Sequence, residues 1–188
     1  YYNDARRQYL FVTEPPMTLE DAQRPVDEVA GTAVDTFTYA VARRDGLFYP
    51  SKVGMRFGGD ILPFGNATWW RAWHNMQSLI DRGLDPLTVL IDRAHDKGMD
   101  FIASLRLPGY LNMDPAHKVD SGGRCYMHAE VRDHQFAVLE ELSTEYSTEG
   151  VELDFIPGMS DYFTPEDVEE GKSVMTEWVR KVSGMVRG

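Results

Sequence analysis

Gly150-Val151-Glu152-Leu153-Asp154-Phe155-Ile156, closed by Pro157-Gly158, is the stretch on which the fold turns. It alternates acid and apolar residue, the period of a strand with two unlike faces, and a Pro-Gly turn signal ends it. Glu152 and Asp154 then share one face, ~6.6 Å apart at Cα, while Val151, Leu153 and Phe155 share the other. An acid facing the interior of a parallel sheet is costly to bury unless it is paired or lines a polar site.

Upstream, Asp100-Phe101-Ile102-Ala103-Ser104-Leu105-Arg106-Leu107 reads as a second strand with Ile102, Ser104 and Arg106 on one face, ended by Pro108-Gly109. Two further strand-like runs lie at residues 34 to 41 and 8 to 12, the first stopped by Arg43-Arg44-Asp45-Gly46 and the second by Glu14-Pro15-Pro16. Helical patterns separate these runs. Asp85-Pro86 reads as N-cap and N1, Leu87, Leu90, Ile91 and Ala94 recur at helical spacing, and Gly98 follows as a stop. Residues 129 to 146 place Val131, Val138, Leu139, Leu142 and Tyr146 on one side. Thr164-Pro165-Glu166-Asp167 opens a last helix with a stripe of Met175, Trp178, Val179, Val182, Met185 and Val186. A helix over residues 18 to 30 is expected to be split by Pro25.

Strands alternating with helices indicate repeated βα units and a parallel α/β sheet in the order of the sequence. A closed eight-stranded (β/α)8 TIM barrel takes about 250 residues, and four units occupy all 188 residues here. The expectation is a single domain forming the N-terminal half of such a barrel, with only about the first four βα units present. A complete four-stranded open sheet is the alternative, less favoured because doubly wound domains usually carry more strands. A half barrel would expose strand edges and should self-associate.

The loops at residues 43 to 67 and 108 to 127 contain seven and five glycines and prolines and follow strand C-termini, the functional end of parallel folds. Asp154, nearest the strand's C-terminal end, is the first candidate for chemistry, with solvent access expected there. Arg106 and Ser104 would lie beside it if the two strands are neighbours, and a guanidinium keeps a carboxylate ionised as a nucleophile must be. The competing role is a structural ion pair with Arg106; depth favours that role for Glu152 and function for Asp154. Aromatic residues crowd these loops, and Tyr49, Trp69, Tyr110 and Tyr162 are candidates for stacking on the apolar faces of sugar rings. Trp70 and Trp73, at helical spacing, suit a core edge better.

Composition narrows the classes further. Nineteen basic against thirty acidic side chains give a net charge of −11, which leaves no basic face for nucleic acid or anionic membranes. No run approaches the roughly 18 apolar residues of a membrane span. The single cysteine, Cys125, permits no internal disulfide and no Cys-based zinc site. The five histidines form no H-x-x-x-H or H-E-x-x-H pattern, so no metal is expected, and Gly58-Gly59 and Gly122-Gly123 do not follow strands as phosphate-binding turns do. No cofactor is expected.

Five segments carry a resemblance: Glu14-Pro15-Pro16, Gly31-Thr32-Ala33-Val34-Asp35-Thr36, Tyr49-Pro50-Ser51-Lys52, Gly98-Met99-Asp100-Phe101-Ile102-Ala103-Ser104-Leu105-Arg106 and Gly150-Val151-Glu152-Leu153-Asp154-Phe155. In this order they resemble the family-10-type glycosyl-hydrolase-like domains, TIM barrels related to the α-amylase type. The resemblance implies a glycoside hydrolase acting on a poly- or oligosaccharide through carboxylates at strand ends. In the related G-x-R-x-D motif the Asp is the nucleophile, a role that would fall on Asp154, with Glu152 standing where that motif has Arg. The resemblance also implies an acid on a fifth strand, beyond Gly188. The alternative function is a non-catalytic carbohydrate-binding or interaction module on the same scaffold.

Overall fold

The computed structural model describes residues 1 to 44, 46 to 59, 63 to 107, 114 to 156 and 161 to 188. Four parallel strands, β1 (Tyr2–Asn3), β2 (Thr36–Ala40), β5 (Asp100–Arg106) and β6 (Gly150–Asp154), form one sheet in the order β1-β2-β5-β6. That is the sequential order expected of consecutive βα units. A two-stranded antiparallel ribbon, β3 (Ala42–Arg43) and β4 (Gly46–Leu47), projects after β2. Among the described residues no further strand pairs with β1 or β6, so the sheet has two edges and does not close.

The first strand is where expectation and structure part. Gln8–Val12 is a π-helical segment, reached from Asp4 through a short turn of helix, α1 (Ala5–Arg7). A five-residue apolar run fits either a strand or a buried helical turn, and contacts remote in sequence decide it. Asp4 caps the turn through the Arg6 amide. At the far end, Asn75 Nδ2 donates to the carbonyls of Tyr9 (3.0 Å) and Thr13 (2.9 Å), and Arg71 Nη1 donates to that of Leu10 (3.1 Å). Carbonyls that a strand would direct along a ladder are thereby satisfied by side chains of α3 (Ala67–Ile80). Burial agrees with the helical form: Gln8, Tyr9 and Leu10 are buried in succession, and Phe11 is 74% exposed.

Pro25 does not split α2 (Leu19–Asp27). It removes the amide that would bond to the Asp21 carbonyl, and Gln8 Nε2 donates to that carbonyl instead at 3.3 Å. The helix also starts firmly, on a capping box in which Thr18 and Asp21 satisfy each other's backbone amides. α4 (Pro86–Asp96) has the predicted anatomy: Asp85 Oδ1 accepts from Leu87 N at 2.9 Å, Pro86 occupies N1, and Gly98 leaves at φ +74°. Its Leu87, Leu90, Ile91 and Ala94 are all buried. α5 (Ala129–Thr144) and α6 (Val168–Arg187) complete the helical layer; residues 164 to 167, expected to open the last helix, precede it as a turn in which Thr164 Oγ1 donates to Asp167.

One sheet face carries Phe37, Tyr39, Phe101, Ala103 and Leu105, all buried in the core with Met76, Leu79, Leu90, Ile91, Leu139 and Leu142 from the helices. Ring centroids of Phe37 and Phe101 lie 5.9 Å apart across β2 and β5. The opposite face carries Tyr2, Thr38, Ile102, Ser104, Arg106, Glu152 and Asp154, and it is open to solvent at Tyr2 and Glu152. Alternation along the strands thus sends the aromatic core residues to the helices and gathers the polar residues, together with Ala40 and Ile102, on one surface.

Candidate functional site

The register of β5 against β6 pairs Ser104 with Glu152 and Arg106 with Asp154. Both pairs are made by side chains. Ser104 Oγ donates to Glu152 Oε1 at 2.7 Å, and Arg106 Nε donates to Asp154 Oδ2 at 2.7 Å. The second carboxylate oxygen of Asp154 accepts the Ile156 amide at 2.9 Å, so the carboxylate is held at both ends in one orientation. Arg106, rather than Ser104, is the direct partner of Asp154.

Exposure inverts the depth argument from sequence. Asp154 is buried, with its side chain 7% exposed and that of Arg106 28%, while Glu152 lies open. The turn back to Ile156 and the guanidinium cover Asp154, and Tyr162 lies near enough for Asp154's charge to act on its phenol. Arg106 is held above its ordinary pKa: burial works against the charged form, and the hydrogen bond and charge of Asp154, helped by Tyr2 and Asp4, outweigh it. Asp4, just past the end of β1, is itself lowered. Burial would raise it, but hydrogen bonds and charge from Arg6, together with Arg106, prevail. Burial pushes the Tyr2 phenol up against the pull of Ser104 and Arg106. Tyr2 and Asp4 therefore belong to the same polar surface. The apolar run from Gln8 draws the first strand six residues past its true start, and the signal for the true one is Tyr2-Asn3 followed directly by the N-cap Asp4.

Two of the aromatic candidates are corrected by burial. Tyr49 is fully buried and its hydroxyl donates to Glu141 Oε2 at 3.0 Å. Burial and the Glu141 charge drive that phenol far above the ordinary range. Glu141 also accepts from Ser51 Oγ and the Lys52 amide, so this buried carboxylate on α5 holds residues 49 to 52 in place. Tyr162 is buried edge-on against Tyr126, ring centroids 5.6 Å apart, and packs the scaffold instead of facing a ligand. Tyr110 lies outside the described residues. Trp69 alone of the four is both described and accessible. Arg43 stacks 3.4 Å over its ring, Phe57 meets it edge-on, and it borders an open groove of about 700 Å³ with Asp4, Arg6, Leu10 and Phe11.

The histidines, set aside by spacing, do not all stay apart. His95 pairs with Glu149 at 3.2 Å. His117 and His128 bring their rings to 4.6 Å, and Glu130 joins them with a carboxylate oxygen; the three potential ligand atoms lie within 4.8 Å of one another. No helix is long and apolar enough to cross a membrane among the described residues.

No protein-family model matches the sequence, and no curated protein is significantly similar to it. Solved structures do share its fold. An α-L-fucosidase from Paenibacillus thiaminolyticus aligns with 95% of this chain at TM-score 0.59 and 12% identity, the chain covering 29% of the fucosidase. A hypothetical protein from Ruminiclostridium thermocellum aligns with 96% at TM-score 0.59 and 14% identity, and there the chain covers 90% of the other protein. A noncanonic maltogenic α-amylase from Thermotoga neapolitana aligns with 95% at TM-score 0.51 and 12% identity, with 42% of its length covered. The chain thus spans less than half of either glycosidase. The likeness is one of fold: a mixed α/β architecture on a parallel sheet.

Proposed function

We propose that the chain is the N-terminal part of a (β/α)8 barrel that hydrolyses glycosidic bonds, with Asp154 as nucleophile or transition-state charge stabiliser. Arg106 is its positioning residue and Glu152 the second carboxylate of this half. The observation that carries the proposal is the polar row Ser104–Glu152 and Arg106–Asp154, set at the C-terminal end of neighbouring parallel strands on the face away from the helices. Active sites of such folds are built at that end.

Three features support the chemistry. A carboxylate locked by Arg106 and the Ile156 amide needs no reorganisation when positive charge develops at a sugar carbon beside it. Glu152, open to solvent and held by Ser104 through one carboxylate oxygen, can accept hydrogen bonds from sugar hydroxyls through the other. The groove beside Trp69 and Phe11 offers apolar ring surface close to the end of β1, with Asp4 and Arg6 to bind hydroxyls. A further acid from a strand outside this chain would serve as the general acid, since glycoside hydrolysis takes two carboxyl groups flanking the scissile bond. The fold likeness to a fucosidase and a maltogenic amylase makes fucosides and α-glucans the first substrates to test.

The burial of Asp154 favours a second reading, carbohydrate binding without turnover on the same surface. The test is release of aryl alcohol or reducing sugar from aryl α-L-fucosides and maltooligosaccharides by the full-length protein, run with Asp154→Asn and Glu152→Gln. Turnover lost in both variants supports hydrolysis. Sugar binding without turnover in the wild type supports the second reading, and neither binding nor turnover refutes both.

A further inference from the structure

We propose that His117, His128 and Glu130 form a binding site for one first-row transition-metal dication, Zn²⁺ foremost, on the connection between β5 and α5. Their ligand atoms, one from each side chain, lie within 4.8 Å of one another. Tetrahedral Zn²⁺ with bonds of about 2.0–2.1 Å sets its ligand atoms roughly 3.4 Å apart. Rotating side chains by about an ångström closes that difference. None of the three side chains donates or accepts a hydrogen bond among the described residues, so nothing has to be broken to make the move.

The backbone around them is already fixed. His117 ends a 3₁₀ turn (Pro115–His117) capped by Asp114, whose Oδ1 accepts from Ala116 N at 2.9 Å. The His117 carbonyl accepts from Cys125 N at 2.8 Å, and the Cys125 carbonyl accepts from His128 N at 3.2 Å, which ties the two histidines together across eleven positions. His128 is the N-cap of α5 and Glu130 lies in its first turn, so the helix start sets their spacing. The intervening residues are locked in turn. Arg124 is buried and donates to the Leu107 carbonyl at 2.7 Å, Tyr126 N donates to the Tyr162 carbonyl at 2.9 Å, and a Cβ on Gly123 would sit 2.1 Å from the Asp161 carbonyl oxygen. A site whose ligands stand on a fixed backbone loses little conformational entropy on binding.

The donor set selects the ion. Two imidazoles and one carboxylate suit zinc and its neighbours, whereas calcium and magnesium take six or more oxygens. Three protein ligands leave one position for water or a substrate group. The N-terminus of α5 works against a cation, and the Glu130 carboxylate offsets it. The chain's net charge of −11 draws cations towards the surface. Sequence spacing concealed the site because its signature, H-x₁₀-H-x-E, belongs to no helical or hairpin repeat.

The test uses untagged protein stripped with chelator, titrated with Zn²⁺ by calorimetry and with Co²⁺ by visible absorption. One ion per chain is expected, with the intense visible bands of four-coordinate Co²⁺ and a thermal midpoint raised by several degrees at saturating Zn²⁺. His117→Ala and His128→Ala should each weaken binding by about tenfold or more, while His134→Gln leaves it unchanged. Because His117 and His128 make no side-chain hydrogen bonds among the described residues, both variants should melt like the wild type without metal, and that melt separates lost binding from lost folding. Absence of stoichiometric binding overturns the site, as does affinity or Tm response that survives in the His117→Ala/His128→Ala double variant.

Discussion

Replacing Asp154 by Asn keeps the shape of the side chain and removes its charge, and the contacts around it set the cost. The Asn carbonyl can still accept the Ile156 amide now held at 2.9 Å, so the turn after β6 survives. The charge facing Arg106 across 2.7 Å is lost. Removing one partner of a fully buried pair costs about 3–5 kcal/mol. Arg106 retains 28% of its side-chain exposure and the nearby charge of Asp4, so the cost should fall towards that of a hydrogen bond to a charged group, about 1.5–3 kcal/mol. For a chain of this size about 2 kcal/mol lowers Tm by roughly 4–8 °C. If Asp154 is the nucleophile, kcat in the full-length enzyme falls by about 10³-fold or more in the same variant. Calorimetry and glycoside hydrolysis read the two effects separately. Wild-type kcat in a folded Asp154→Asn protein refutes the catalytic role. An unchanged Tm refutes the energetic account of the pair with Arg106.

Individual contacts elsewhere in the chain lead to four more expected outcomes. Glu141→Ala strands the Tyr49 hydroxyl, Ser51 hydroxyl and Lys52 amide and should cost about 2–4 kcal/mol by urea denaturation, with Glu141→Gln milder. Hydrogen bonds from the Thr18 backbone and side chain, then Arg24, hold Asp21 below 3.8, so its contribution is present above that pH and lost as pH falls through the folded value; Asp21→Asn should flatten the acid limb of a stability–pH curve from about pH 4 downward. Gly184→Ala, in α6 with nothing within 4 Å of its Cβ, should stabilise by about 0.5–1 kcal/mol, whereas Gly171→Ala drives a Cβ to 2.5 Å from the Phe163 ring and should destabilise, both read by thermal melts. The sheet edges, which pair with no further strand among the described residues, and the exposed Phe155 and Ile156 should make the chain self-associate; light scattering that gives a monomer at every concentration would contradict this.

The features legible in the sequence are those that local chemistry decides. Asp85-Pro86 and Gly98 bound α4 because a cap, a fixed φ and a left-handed glycine act within one turn. The alternation in Asp100–Arg106 and Gly150–Asp154 sorted their faces because a strand's period admits one solution when one side is apolar. Gln8–Val12 does not carry its own form, because Asn75 and Arg71, more than sixty positions away, decide it. The same holds for Tyr49 and Tyr162: an aromatic ring in a long loop packs inward or outward according to partners such as Glu141 and Tyr126, which spacing does not reveal. Glu141 lies outside the apolar stripe of Val131, Val138, Leu139, Leu142 and Tyr146, and only the fold of residues 49 to 52 makes it a buried acceptor.

The polar row also carries a structural duty that bears on its function. If β6 slipped by one residue against β5, Arg106 would face Leu153, and Glu152 and Asp154 would turn into the layer of α5 and α6. Two unpaired carboxylates in that apolar layer are far costlier than the pairs they now make. The same four side chains therefore fix the register and furnish the candidate site, and their mere presence cannot distinguish the two duties. Removal of charge at constant shape does. Register depends on keeping Asp154 out of the helical core, which an amide achieves nearly as well as a carboxylate. Chemistry at a sugar carbon depends on the negative charge. A variant that holds the sheet and abolishes turnover separates what folds this protein from what lets it act.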